Sequence, residues 1–207
     1  MSNVKKQHKV VKLITLGDTN AGKSCIIHYF IEKEFINMQN TVGVDFYAKT
    51  IDYKGNSIKV QIYDTSGQEK FKTISANYYK RADGILLVFD LTRKETFSNI
   101  EFWIKEMKEQ MDIDKAGMVL LGNKSDLVEE KLVTPREGNT LAQQLNTKYY
   151  ETSAKNGNNI DESINYLIDE IIKKKEIDFN EPNDIKNEGN KVVELGGGIP
   201  PKKKKCC

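Results

Sequence analysis

Short apolar runs alternate along the chain with longer stretches of helical period, a pattern that predicts an α/β fold around a largely parallel sheet. Lys9 to Leu16 predicts a first strand. A glycine-bearing loop, Gly17 to Ser24, then leads into a helix over Lys23 to Lys33 carrying Ile26, Ile27, Phe30 and Ile31. Val44 to Tyr53 and Ile58 to Asp64 read as strands joined by Lys54-Gly55-Asn56-Ser57, a hairpin signal that makes the two antiparallel neighbours. Gly84 to Leu91 and Met118 to Gly122 read as continuous buried strands. Phe97, Ile100, Ile104, Met107 and Met111 recur at helical steps, as do Ile160, Ile164, Leu167, Ile168 and Ile171, so both stripes are expected to face the core.

Past about residue 175 this periodicity fades into Asn, Glu, Lys and Gly and ends in Gly196-Gly197-Gly198-Ile199-Pro200-Pro201, the composition of a tether. The expected organisation is one folded domain over 8–175 and a tail over 176–207. A length of 207 residues with 38% hydrophobic residues supports one core of ordinary size. Four of the 32 basic residues are Lys202 to Lys205, leaving 28 against 30 acidic ones in the rest, which excludes a basic nucleic-acid binder. Cysteines occur only at 25, 206 and 207, no framework for disulfides, and the reading is a reducing compartment. No apolar run is long enough to span a bilayer, so membrane contact is expected to come from covalent modification.

The candidate chemistry begins at Gly17-Asp18-Thr19-Asn20-Ala21-Gly22-Lys23-Ser24, a phosphate-loop pattern lying between a strand and a helix, where that pattern has its mechanism. Successive backbone N–H groups and the positive end of the helix dipole face one anion there. Lys23 is expected on the β- and γ-phosphates and the Ser24 hydroxyl on Mg²⁺. By itself the loop specifies only a nucleoside triphosphate.

The base is addressed by Asn123-Lys124-Ser125-Asp126, at the carboxyl end of a strand, where open α/β sheets bind ligands. A carboxylate at Asp126 accepts from guanine N1–H and its 2-amino group, whereas adenine leaves that carboxylate unpaired. Glu151-Thr152-Ser153-Ala154-Lys155 is a second such string, with the Ala154 N–H available to the guanine 6-oxo group. Asp64-Thr65-Ser66-Gly67-Gln68-Glu69 closes a strand, so Asp64 is expected to hold the metal through water, Gly67 to offer its N–H to the γ-phosphate, and Gln68 to orient the attacking water as the catalytic residue. Thr41 supplies a second hydroxyl for Mg²⁺. The three arginines, 81, 93 and 136, lie outside the phosphate loop and the Thr41 segment, which predicts slow intrinsic hydrolysis and dependence on an activating partner.

Taken together these residues resemble the Ras superfamily and, within it, the Rab branch, through Val42-Gly43-Val44-Asp45-Phe46, Lys59 to Thr65, Gln68 to Ile74 and Tyr78-Tyr79-Lys80. The resemblance implies a P-loop NTPase fold with a six-stranded, mostly parallel sheet, one antiparallel strand and helices on both faces. It also implies GTP or GDP with Mg²⁺ as ligands and a role in vesicle trafficking. Nucleotide contacts would run from Gly17 through Cys25 and include Asn123, Lys124, Ser153 and Lys155. Phe35 would pack on the guanine, and Phe46, Tyr63 and Tyr78 would form an aromatic cluster read by effectors. Cys25 is also expected to be a small buried hydrophobe, not a reactive thiol.

Tyr63 stands where the branch usually has Trp, and Ser66 where it usually has Ala. Thr19 and Asn20 fill positions that are often smaller, with Asn tolerant of positive φ and Thr19 close to the hydrolytic water. The segment from Phe35 to Thr41 is one residue shorter than usual. The ending Cys206-Cys207 resembles the double-cysteine terminus that carries two geranylgeranyl chains, which with the four lysines would give stable anchoring to the cytoplasmic face of an intracellular membrane and an escorted cytosolic pool. Expected partners are a GTPase-activating protein, an exchange factor, effectors and a prenyl-lipid escort. Two rivals are a P-loop kinase or ATPase, against which Asp126 argues, and a GTP-binding scaffold with impaired hydrolysis. Pro200-Pro201 with the lysines also has a competing reading as a nuclear localisation signal.

Overall fold

The computed structural model describes residues 9–38, 41–67 and 78–177. Six strands, β1 Lys9–Leu16, β2 Val44–Tyr53, β3 Asn56–Thr65, β4 Gly84–Asp90, β5 Gly117–Asn123 and β6 Lys148–Glu151, form one sheet in the order β2-β3-β1-β4-β5-β6. Only β2 runs antiparallel, against β3; every other neighbouring pair is parallel. The β2–β3 hairpin is tighter than the four-residue signal suggests. Only Lys54 and Gly55 turn, with φ of 51° and 80°, and the strands pair as far as Tyr53 and Asn56.

Helices α1 Lys23–Glu32 and α5 Ile160–Lys175 cover one face of the sheet; α2 Lys94–Ser98, α3 Ile100–Lys108 and α4 Pro135–Gln144 cover the other. The alternation along the central strands divides the core cleanly. Leu86 and Val88 pack with Ile26, Ile27, Ile164, Leu167 and Ile171, while Ile85, Leu87 and Phe89 pack with Ile100, Trp103, Ile104 and Met107. Both expected helical stripes therefore face the core, but the first is divided at Asn99 between α2 and α3. Helix α4 carries few apolar residues, and its start is fixed by a capping box in which the Thr134 side chain accepts from Glu137 N while the Glu137 carboxylate accepts from Thr134 N. Parallel strands place all their carboxyl ends on one edge, and the loops after β1, β3, β5 and β6 meet there. Among the described residues no helix is long and apolar enough to cross a membrane.

Candidate functional site

A cavity of about 500 Å³ opens at that edge, with Thr19, Lys23, Ser24, Thr41, Gly67, Asp126 and Ala154 in its wall. Its floor is the Gly17–Ser24 loop. Gly17 has φ of 139°, and a Cβ there would lie 1.9 Å from the carbonyl oxygen of Val88, so β4 leaves room for glycine alone. Asn20 takes the positive φ expected of it, 64°. Gly67 backs onto the same loop so closely that a Cβ would sit 2.2 Å from Thr19 N.

Lys23, the first residue of α1, is 5% exposed and donates to the carbonyl oxygens of Gly17 and Asp18 at 3.0 and 2.9 Å. Burial lowers its pKa to about 8 against the pull of Asp64 and Asp18 in the other direction. One residue on, Ser24 Oγ lies 2.5 Å from Asp64 Oδ2 and 2.9 Å from Thr41 Oγ1, and Thr41 Oγ1 donates to the same carboxylate oxygen at 3.1 Å. Three oxygens from α1, from the segment before β2 and from the end of β3 thus converge on one point. They are hard neutral or anionic donors, the set that suits Mg²⁺, and two of them are hydroxyls that leave coordination positions to water and phosphate. The residues fit the metal. Asp64 is fully buried, and that burial pushes its carboxyl upward, with Ser24, Lys23, Thr15 and Thr41 opposing the shift. Ser66 is buried beside it, and its hydroxyl has no partner among the described residues.

The other half of the cavity is held together by Asn123, 2% exposed. Its Nδ2 donates to Ala21 O at 2.9 Å, and its Oδ1 accepts from Ala154 N at 3.3 Å and Thr152 Oγ1 at 3.5 Å. Asn123 therefore ties the floor of the site to the 152–154 loop. Ser153 Oγ donates to Asp126 Oδ1 at 2.6 Å and accepts from the N–H groups of Lys155 and Asn156, fixing the carboxylate at the cavity's far end. Lys124 has φ of 67° and turns back to pair with Asp90, a fully buried carboxylate at the end of β4, at 2.6 Å.

Phe35 lines the cavity at 42% exposure, followed by Asn37 and Met38. Cys25 is only partly buried against the core, where full burial was expected. It is partly exposed and lines the cavity, its thiol donating to Ile36 O at 3.6 Å. The apolar face of α1 at Ile26, Ile27 and Phe30 is turned to the sheet, and a residue one step before Ile26 is rotated about 100° away from it. The aromatic cluster forms, with ring centroids 5.5 Å apart between Phe46 and Tyr63 and 4.9 Å between Tyr63 and Tyr78. Gln68, Cys206 and Cys207 lie outside the described residues.

Sequence reasoning missed a further layer behind the loop. Asp18 accepts from Trp103 Nε1 at 2.8 Å and Asn99 Nδ2 at 2.7 Å, and Arg93 Nη1 donates to Thr19 O at 3.2 Å. An arginine remote in sequence thus lies against the phosphate loop, although its Nε is spent on Glu95. It missed Thr15 too, fully buried between Asp64 and Thr65. Asp90, which takes Lys124, falls inside the expected Gly84 to Leu91 strand and was not singled out.

Residues 12–173 match the family model described as "Ras family". The chain is 40% identical over 208 residues to the Ras-related protein SEC4 of Saccharomyces cerevisiae, covering 99% of this chain and 94% of that one. It is 43% identical to the Ras-related protein Rab-8B of Dictyostelium discoideum over 84% of this chain and 85% of that one. For the Ras-related protein Rab-13 of Bos taurus the identity is 42%, over 79% and 80%.

Proposed function

The chain belongs to the Ras family, on its Rab branch, and is a small GTPase of vesicle traffic; from that premise we propose that it is a membrane-anchored switch whose GTP form orders Thr41 and Gly67. The observation that carries this reading is the convergence of Ser24, Thr41 and Asp64 beside the buried Lys23, in one cavity with Asp126 at the opposite end.

Asp126, braced by Ser153, would select guanine by accepting from N1–H and the 2-amino group, and the loop N–H groups and Lys23 would grip the phosphates. Mg²⁺, held by the hydroxyls of Ser24 and Thr41 and through water by Asp64, would neutralise charge developing on the β- and γ-phosphate oxygens. Gln68 would orient the water that attacks the γ-phosphorus. Loss of the γ-phosphate removes what Thr41 and the Gly67 N–H hold, so both segments are released and effectors reading Phe46, Tyr63 and Tyr78 dissociate. With Arg93 engaged by Glu95 and the Thr19 carbonyl, intrinsic hydrolysis is slow and an activating protein supplies the missing charge. The tail from 176 onward would carry two prenyl chains on Cys206 and Cys207 beside Lys202 to Lys205. An exchange factor and a lipid-binding escort complete the cycle on the cytoplasmic face of an internal membrane.

The test compares GTP hydrolysis by the full chain and by Gln68→Leu, in single turnover, with and without an activating protein. Slow hydrolysis that the protein accelerates, and that Gln68→Leu slows further, supports the switch. Wild-type and variant rates that match in the absence of partner overturn the role of Gln68. Binding of ATP as tight as that of GTP overturns the role of Asp126.

A further inference from the structure

The point at which Asp64 faces the metal site is defined by a hydroxyl on its other side. Thr15 is the penultimate residue of β1, in the buried run Leu13-Ile14-Thr15-Leu16, and is fully buried. Strands β1 and β3 are parallel neighbours in a register that aligns Ile14 with Tyr63, so Thr15 and Asp64 come next, side by side at the carboxyl ends. By strand alternation both project to the face carrying α1 and α5, the face on which Ser24 stands.

Thr15 Oγ1 donates to Asp64 Oδ1 at 3.0 Å and accepts from Thr65 N at 3.3 Å, while the Thr15 carbonyl accepts from Thr65 Oγ1 at 2.7 Å. The hydroxyl proton is thereby directed at the carboxylate, which as an anion can only accept, while a hydroxyl lone pair takes the Thr65 N–H. The two oxygens of Asp64 have different duties. Oδ1 is held by Thr15, and Oδ2 is the atom turned to Ser24 and Thr41. A carboxylate turns about its last bond, and a donor on one oxygen fixes where the other points.

We infer that Thr15 is a positioning residue for magnesium, a buried donor that locks the Asp64 carboxylate with one oxygen presented to the metal site. The inference rests on the magnesium reading above. It gives the polar residue among the four buried positions that end β1 a task that packing does not require, since valine has the same shape.

The experiment loads the full chain with a fluorescent GDP and measures its dissociation rate across buffered free Mg²⁺, and in excess EDTA. The variants are Thr15→Val, which keeps the shape and deletes the donor, and Thr15→Ser, which keeps the donor. Thr15→Ala, a second donor deletion, carries the same expectation as Thr15→Val if the valine chain does not fold. For the donor deletion the Mg²⁺ concentration that half-protects the nucleotide rises about tenfold or more, the size of effect that partners of metal ligands have, and the EDTA rate stays within twofold of wild type. Thr15→Ser restores the wild-type midpoint. A purely structural role would instead raise the EDTA rate and lower the unfolding temperature with the midpoint unmoved, and that result overturns the inference. So does a serine variant as impaired as the valine one. A wild-type chain whose nucleotide release ignores Mg²⁺ overturns both the inference and the metal reading beneath it, whereas a wild type that responds and a Thr15→Val that matches it overturns the inference alone.

Discussion

Replacing Asn123 by alanine isolates the tie between the phosphate loop and the base-side loop. The side chain is almost wholly buried and joins three partners, Ala21 O at 2.9 Å, Ala154 N at 3.3 Å and Thr152 Oγ1 at 3.5 Å. Alanine leaves the first two, both backbone groups in a dry region, without their bond. Each such orphan costs about 1–3 kcal/mol, and the longest contact adds little, so the total is roughly 2–6 kcal/mol. Part of it falls on folding and part on the pre-ordered shape that grips phosphate. If most falls on the latter, GDP affinity drops by about 30-fold to 10⁴-fold, at 1.4 kcal/mol per decade. The assay is competition against a fluorescent GDP for wild type and Asn123→Ala, repeated with GMP. Because the tie acts through the loop that would hold the phosphates, GDP should lose more than GMP. An affinity for GDP within threefold of wild type would refute the reasoning, and equal losses for the two nucleotides would transfer Asn123 from the loop to the base.

Three further outcomes are expected. Lys23 has a free-protein pKa of about 8 and must be charged to hold phosphate, so GDP affinity should be flat below pH 7 and fall by up to tenfold per unit above pH 8, until the higher pKa of the complex is passed; a flat profile to pH 9 by titration with fluorescent GDP would contradict it. Asp126→Asn turns one of the two acceptors that would face guanine into a donor, which should cost about 10²-fold or more in GTP affinity while improving binding of xanthosine nucleotides, whose 2-oxo group accepts; competition binding reads both. Gly17→Ala forces a Cβ to within 1.9 Å of Val88 O at φ of 139°, a strain of about 3 kcal/mol or more that should lower the thermal midpoint by roughly 6–12 °C in scanning calorimetry.

Where a residue's task is local, it was legible in the chain. The Gly17–Ser24 string needs only the strand before it and the helix after it, and both are there. The β2–β3 hairpin and the stripe of α5 follow from periods of 2 and 3.6 that burial enforces. Helix α4 is different, because its apolar face is only Gly138, Leu141 and Ala142, although Thr134-Pro135-Arg136-Glu137 is a start signal in its own right. What stayed hidden are residues defined by a partner far along the chain. Thr15 and Asp64 are 49 residues apart, Asp18 and Trp103 are 85 apart, and neither strand period nor composition links them. Thr15 is further disguised by its shape, which packs as valine would. Cys25 was misjudged because hydrophobicity scales report what a thiol prefers, whereas its position around α1 is dictated by the isoleucines beside it.

The sequence has a single tryptophan, and its indole N–H ends on Asp18, inside the loop that would embrace the phosphates. Excited beyond the absorption of the nine tyrosines, the unlabelled chain therefore emits from one indole, seated one hydrogen bond behind the loop that would hold the nucleotide. Exchange and turnover should be visible in a cuvette as a change in the intensity or colour of that light, with nothing attached to either protein or ligand.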